Sequence, residues 1–402
     1  MIEFYLDVQI SQIQLNNFRN FTNSKFTFGS ELNLIYGDNG VGKTSVLEAI
    51  TMVGRSDSIR GADLNQIVNI TSISSNNNLT DKASPEFKDK IADLDRGRLS
   101  IHSLFHNNNY IDSIAFSFDY FANKKQNFIN QESLSVKKFS DFKRYLPNII
   151  FLTPQLEQLF ILGKSERRSY LDKIVADIDI NHSQRLNNYQ KLTKERISIL
   201  QKSNNSANQK KWLDIIENQI VELGVVIASS RVEAVNFFNK AIDGFISNFP
   251  KPKLLIIGDV EQDILNQKNS VVLEANYKEK LENNRQIDTL NFKTNFGVHR
   301  SDFMAILREK NIEATKCSTG EQKAMMISIT LARAKISSLY KNNPTILVFD
   351  EVVSHLDEKR KIDLFYEICD SKLQSFFSAT SINMIPNQFT GNLLAIKLNS
   401  WN

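Results

Sequence analysis

Three short segments carry residue types that could do chemistry together. Gly37, Asp38, Asn39, Gly40, Val41, Gly42, Lys43 and Thr44 fit the spacing G-x-x-x-x-G-K-[ST], and Ser45 follows directly. Glycines so placed let consecutive backbone N–H groups turn inward around an anion, and a helix starting there adds its positive end. Lys43 then reaches the outer phosphates, and the Thr44 hydroxyl is a ligand for Mg²⁺. Residues 346–351, ILVFDE, form an apolar run that ends in two carboxylates. Asp350 at such a strand tip holds Mg²⁺ through water, and Glu351 polarises a water for attack on a phosphate. Ser318, Thr319, Gly320, Glu321 and Gln322 precede a helix-compatible run, where a hydroxyl and free N–H groups receive an anion. Alone, the second segment is an ordinary strand end and the third an ordinary helix cap; a phosphate loop in the same chain makes both candidates.

This chemistry needs elements that bring the segments together. An apolar run, Leu32–Tyr36, leads into the phosphate loop, and Val46, Leu47 and Ile50 follow it at helical spacing. Strand-like runs fill the chain as far as about Phe121. From Ser165 to Phe249 the period is helical, with Leu171, Ile174, Val175 and Ile178 on one face. Trp212, Ile215, Ile216, Gln219, Ile220, Leu223 and Ile227 form a second face, and Val235, Phe238, Ile242, Phe245 and Phe249 a third. Pro250 and Pro252 end this block, and residues 254–257 and 271–273 read as short strands. Strand and helix alternate again after Phe296, and 346–349 reads as a buried parallel strand. Residues 72–78, SISSNNN, read as a loop, and no internal repeat is present.

With 402 residues, 41% apolar and 23% charged, the chain exceeds one small domain and has apolar residues enough for real cores. Two cysteines, Cys317 and Cys369, exclude a disulfide framework and a four-thiolate metal site. No apolar run is long enough to span a bilayer and no secretory leader is readable, so the expected compartment is the cytoplasm. His102 and His106 sit in strand-like alternation without a third ligand, which argues against zinc. The net charge of +4 hides an uneven distribution: residues 120–215 hold 17 Lys and Arg against 9 Asp and Glu.

The phosphate loop, the Ser318 segment, the Asp350–Glu351 pair and the turn Ser354, His355, Leu356, Asp357 occur in the order found in ABC-type ATPases of the chromosome-maintenance group, which the chain resembles. Lys43 and Ser318 lie 275 positions apart. That is more than a transporter-type nucleotide domain uses and less than the coiled coils of SMC proteins require. A compact helical insertion of this size is similar to the RecF family, and other landmarks agree. Leu15, Asn16, Asn17, Phe18, Arg19, Asn20 and Phe21 resemble its L-x-N-F-R-N-F stretch. Phe151, Thr153 and Pro154 resemble its F-x-P run, and Ser165, Arg167, Arg168, Tyr170, Leu171 and Asp172 its S-x-R-R-x-F-L-D segment. Trp212 and the run Gly297, Val298, His299, Arg300, Ser301, Asp302 match its W-x and G-P-H-R-D-D landmarks, with departures at Val298 and Ser301 and at Thr319 in the signature.

The resemblance implies an α/β fold: an ABC-type P-loop ATPase head, a mixed sheet with flanking helices, formed by residues 1–162 and 290–402. A mostly helical lobe with a few short strands, 163–289, is inserted. It implies ATP and Mg²⁺ as cofactors, held by residues 37–45, Ser318, Gly320 and Gln322, with Thr44 and Asp350 on the metal and Lys43, Asp350 and Glu351 in slow hydrolysis. Two subunits would sandwich ATP and hold DNA without reading its sequence, in recombinational repair and replication, with RecR and RecO helping to load RecA, and in the SOS response. Arg55, Arg60, Lys137, Lys138 and Arg144 are candidates for DNA phosphates. Gln155 and Gln158 both remain open as the Mg²⁺-sensing glutamine, and Arg19 as a nucleotide-side contact, a dimer contact or a surface charge. Two other classes compete: an SMC-like or transporter-associated ATPase acting on a protein partner, and an ATPase–nuclease of the OLD kind. The latter is disfavoured by the 45 residues after Asp357.

Overall fold

The computed structural model describes residues 8–53, 63–69, 98–106, 112–134, 146–202, 207–266, 269–340 and 345–399. The loop-like run 72–78 lies outside them. The chain divides into two compact units, one ending at Pro154 and resuming at Ser337, the other Gln155–Ile336.

The first unit holds two sheets. In the antiparallel one, β1 (Gln9–Phe18), β2 (Phe21–Thr27), β4 (Arg98–His106), β5 (Ser113–Asp119), β6 (Lys124–Ile129) and β7 (Glu132–Leu134) run in the order β2-β1-β4-β5-β6-β7. A bulge between Ile10 and Gln12 in the pairing of β1 with β4 lets Ile10, Ile13 and Leu15 share the buried face. The second sheet is parallel: β3 (Leu32–Tyr36), β8 (Asn148–Leu152), β12 (Thr345–Phe349), β13 (Ser375–Ala379) and β14 (Leu393–Lys397), in the order β14-β3-β13-β12-β8. Strands β12 and β13 are buried at every position, which explains why 346–349 reads as an unbroken apolar run. Helix α1 (Lys43–Met52) lays Val46, Leu47, Ala49 and Ile50 into a core shared with Ile13, Leu15, Val348 and Phe376.

The second unit is mainly helical. It contains α2 (Lys164–Ile178), α3 (His182–Gln201), α4 (Ala207–Asp243), α5 (Asp259–Leu265), α6 (Ser270–Asn283) and α7 (Arg285–Asn291). A small antiparallel sheet joins β9 (Lys253–Ile257), β10 (Asp302–Leu307) and β11 (Ile312–Glu313). Helix α8 (Thr319–Tyr340) begins in this unit, and α9 (Glu358–Ser371) belongs to the first.

Two expectations need correction. Residues 271–273 lie in α6, not a strand: the Asn269 side chain caps the Val271 N–H, and Leu273, Tyr277 and Leu281 are buried at four-residue spacing. On α4 the buried stripe runs through Leu213, Ile216, Ile220 and Ile227, leaving Trp212 and Ile215 about half exposed. The compact division itself falls after Pro154 and after Ile336. Residues 302–307 pair with β9, Asp302 opposite Ile257, and the Ser328 hydroxyl on α8 donates to the Pro250 carbonyl, so 290–336 packs with the helical unit. Among the described residues no helix is long and apolar enough to cross a membrane.

Candidate nucleotide site

Strand β3 delivers the phosphate loop at its C-terminal end, between neighbours β13 and β14. Gly37, Gly40 and Gly42 have φ of 151°, 87° and 103°, backbone that side chains resist. A Cβ on Gly37 would sit 2.4 Å from the Leu398 carbonyl, and one on Gly42 2.6 Å from the Asn20 amide, so the loop is tight as well as left-handed. No side chain caps α1, whose first N–H groups therefore face the loop. Lys43 is 4% exposed and its Nζ donates to the carbonyls of Gly37 and Asp38, both at 2.8 Å. The ammonium closes the ring of the loop from within and stands where phosphate oxygens would exchange with those carbonyls.

The carboxylate pair lies just past β12. The parallel register of β12 with β13, Phe349 opposite Phe377, sets Asp350 beside Ser378. Asp350 is buried; its Oδ1 accepts from the Thr44 hydroxyl at 3.1 Å and from the Ser378 hydroxyl at 2.7 Å. Thus two residues 306 positions apart, both expected to hold Mg²⁺, lie within hydrogen-bond distance. Glu351 has φ 56°, left-handed, and its backbone is held at both ends: its N–H donates to Ser378 Oγ at 2.7 Å, and its carbonyl accepts from Ser354 Oγ at 2.9 Å. Asp357 of the same turn caps α9 by accepting from the Arg360 N–H.

The phosphate loop and Glu351 border a cleft of about 880 Å³ lined by Arg19, Asn20, Asn39, Lys43 and Thr44 among others. Arg19 is not a free surface charge. Its Nε and NH2 each reach the fully buried Glu48 carboxylate of α1 at 2.9 Å, which anchors the end of β1 to the helix after the loop. Asn20 Oδ1 is buried with no hydrogen-bond partner among the described residues, an acceptor waiting for a donor at the cleft wall. A glycine cradle, an inward lysine, an oxygen pair suited to a hard cation and an orphaned acceptor together fit a nucleotide triphosphate with Mg²⁺. Ser378 and the Arg19–Glu48 pair escaped sequence reasoning; only their places across the strands expose them.

The segment 318–322 lies in the second unit. Here the Ser318 N–H and hydroxyl both donate to Glu321 at 2.8 Å, a reciprocal cap for α8. Lys310 adds an ion pair to Glu321 at 2.5 Å, and the hydrogen bonds from Lys310 and Ser318 pull the Glu321 carboxyl down to about 2. Gln322 turns inward to donate to the Cys317 carbonyl, while Gly320 has open space around it. Gln155 and Gln158 are exposed.

A family model described as an AAA domain matches residues 12–224. The chain is 32% identical over 392 residues to the DNA replication and repair protein RecF of Rickettsia felis, covering 98% of both chains. It is 33% identical over 392 residues to that of Rickettsia typhi, covering 98% of this chain and 99% of the other. The chain belongs to the RecF family. Among solved structures, that of the recombination mediator protein RecF with ATP in the RecFOR pathway shares the fold at TM-score 0.70, with 23% identity and 94% of each chain covered. An SMC head domain from Pyrococcus furiosus shares it at TM-score 0.55 and 14% identity, covering 98% of this chain and 94% of that one. The fold is therefore that of an ABC-type ATPase head carrying a helical lobe.

Several RecF-family landmarks prove to be an ionic joint inside the second unit. Arg167 grips Asp302 with two bonds of 2.8 and 2.7 Å, and Arg168 donates to the Ser301 carbonyl at 2.8 Å. Asp172 receives Arg231 at 2.8 and 2.9 Å and touches His182 at 2.9 Å. Arg231 also donates to the Val298 carbonyl at 2.6 Å and to Glu261, which in turn accepts from Ser301, the departure residue. This changes the reading of the basic stretch. Arg167 pairs with Asp302, and Arg196 with Glu217 and Asp288, acids contributed from beyond residue 215. Part of the apparent charge excess is thus neutralised in the interior. The DNA-phosphate candidates Arg55, Arg60, Lys137, Lys138 and Arg144 lie outside the described residues.

Proposed function

We propose that this RecF-family chain is an ATP-dependent DNA-binding protein of recombinational repair and replication. One observation carries the reading: the Thr44 hydroxyl and Asp350 carboxylate, 3.1 Å apart at the mouth of a glycine cradle. Residues 37–45 would wrap the phosphates, with the Lys43 ammonium leaving the loop carbonyls for the outer phosphate oxygens. Mg²⁺, when bound at Thr44 and Asp350, offsets phosphate charge. Glu351, its backbone pinned at both ends, would hold the attacking water and accept its proton. Ser318 and Gly320 would complete the site across an ATP-sandwiched homodimer, Ser318 exchanging its Glu321 bond for phosphate; Gln322, turned inward, would support that turn. Slow hydrolysis then acts as a release timer.

The RecF names of the relatives and the RecFOR setting of the solved structure support a role in DNA replication and repair. We extend it to gapped or single-strand/duplex DNA as ligand, RecR and RecO as partners in loading RecA, a place in the SOS response and a cytoplasmic setting. Binding through the DNA backbone predicts a salt slope in log K of about −0.9 per phosphate contacted. Fluorescence anisotropy on gapped duplex tests this: ATP should strengthen binding and Lys43→Ala should abolish the ATP effect. DNA affinity indifferent to both would overturn the proposal in favour of an ATPase acting on a protein partner.

A further inference from the structure

We propose that Ser378 is a positioning residue for the hydrolytic centre, a role that rests on the ATPase reading above. Ser378 is fully buried on β13, one step past the Phe349–Phe377 register pair. Its hydroxyl has one proton, and the geometry uses it in one direction: Oγ donates to Asp350 Oδ1 at 2.7 Å and accepts from the Glu351 N–H at 2.7 Å. A single side chain therefore orients both members of the carboxylate pair. At Asp350 it keeps Oδ1 turned toward Thr44. At Glu351 it supports a left-handed backbone, φ 56°, that L residues disfavour by about 1–2 kcal/mol. The Glu351 carbonyl is held separately by Ser354, so Ser378 holds the N–H end of this residue.

A buried serine that only fills space would behave differently, and β13 supplies the comparison. Ser375, also fully buried, donates to the Leu373 carbonyl and touches neither carboxylate. Removing the Ser378 hydroxyl takes away the partner of the part-buried Glu351 N–H and one of the hydrogen bonds on Asp350 Oδ1, with no change to the phosphate loop. The loss should therefore fall on metal affinity and turnover, and spare nucleotide affinity without metal.

The test uses the full chain with Ser378→Ala, Ser378→Thr and Ser375→Ala. A fluorescent non-hydrolysable ATP analogue is titrated in EDTA and against Mg²⁺; steady-state kcat and KM for ATP and the melting midpoint are measured beside it. Ser378→Ala should raise the Mg²⁺ midpoint and lower kcat, each by roughly 10- to 100-fold, the scale of a hydrogen bond to a charged group. KM for ATP and affinity in EDTA should stay within about twofold, and Ser378→Thr, where folded, should restore both quantities. A wild-type Mg²⁺ midpoint in Ser378→Ala overturns the inference, as does an equal loss in Ser375→Ala, which would put the effect in strand packing. A wild-type chain that binds Mg·ATP and never hydrolyses it refutes the ATPase reading; the Mg²⁺ midpoint still decides the role of Ser378.

Discussion

Arg231→Met isolates the ionic joint that ties two landmark segments of the helical unit, through Asp172 and Val298, to Glu261. Arg231 is 1% exposed and makes bonds to both oxygens of Asp172, to Glu261 and to the Val298 carbonyl. Methionine matches the stem and removes all of them, leaving Glu261 at 0% exposure and Asp172 at 16% without their shared cation. Breaking a buried pair from one side costs about 3–5 kcal/mol, against about 5–15 kcal/mol for a whole domain. Urea unfolding followed through Trp212, on the same helix, should show a fall of that size. Adding Glu261→Gln and Asp172→Asn should recover part of it, because neutral amides no longer need the cation. Acid sensitivity supplies a second arm. Burial pushes the Asp172 carboxyl up, but the His182 hydrogen bond and the Arg231 charge outweigh it, so the group titrates below its ordinary 3.8. A depressed carboxylate contributes stability fully above its unfolded pKa and loses it as pH falls through the folded value. Without Arg231 the folded value rises, and Arg231→Met should begin to weaken at higher pH than the wild type. A loss under about 1 kcal/mol with an unchanged acid limb would refute the argument that this network is a structural joint.

Two further outcomes concern the nucleotide site. Gly42→Ala places a Cβ 2.6 Å from the Asn20 amide at φ 103°, so the loop must shift; ATP-analogue affinity should fall at least about tenfold, and an unchanged affinity in a folded variant would contradict the tight-cradle account. Glu351→Gln keeps the backbone bonds to Ser378 and Ser354 while removing the base, so it should accumulate an ATP-bound dimer in gel filtration; a variant that stays monomeric with ATP counts against the sandwich.

The phosphate loop, the carboxylate strand and the helical insertion were legible because each rests on local chemistry: glycines where φ must be positive, an unbroken apolar run where a parallel strand is buried on both faces, and a change of hydrophobic period from two to about 3.6. Landmarks such as Arg167 and Asp172 were also visible, but not their work. Their partners Asp302 and Arg231 lie 135 and 59 positions away, and sequence spacing carries no information about which charges meet in the interior. For the same reason a count of basic residues over 120–215 does not tell which of them are paired in the interior. The strand expected at 271–273 failed because β-branched valines suit either state, and a cap at Asn269 with a buried stripe at helical spacing decided for the helix.

The amino-acid sequence by itself carried the phosphate-loop spacing, the apolar run that ends in Asp350 and Glu351 and the change of hydrophobic period, since backbone sterics and burial periodicity are written residue by residue. Only the tertiary structure decided that Thr44 meets Asp350 and that Ser378 bonds both the Asp350 carboxylate and the Glu351 N–H. It also decided that Arg231 joins two landmark segments and Glu261 in one cluster, because hydrogen bonds across neighbouring strands and helices depend on register and packing, which no local pattern encodes.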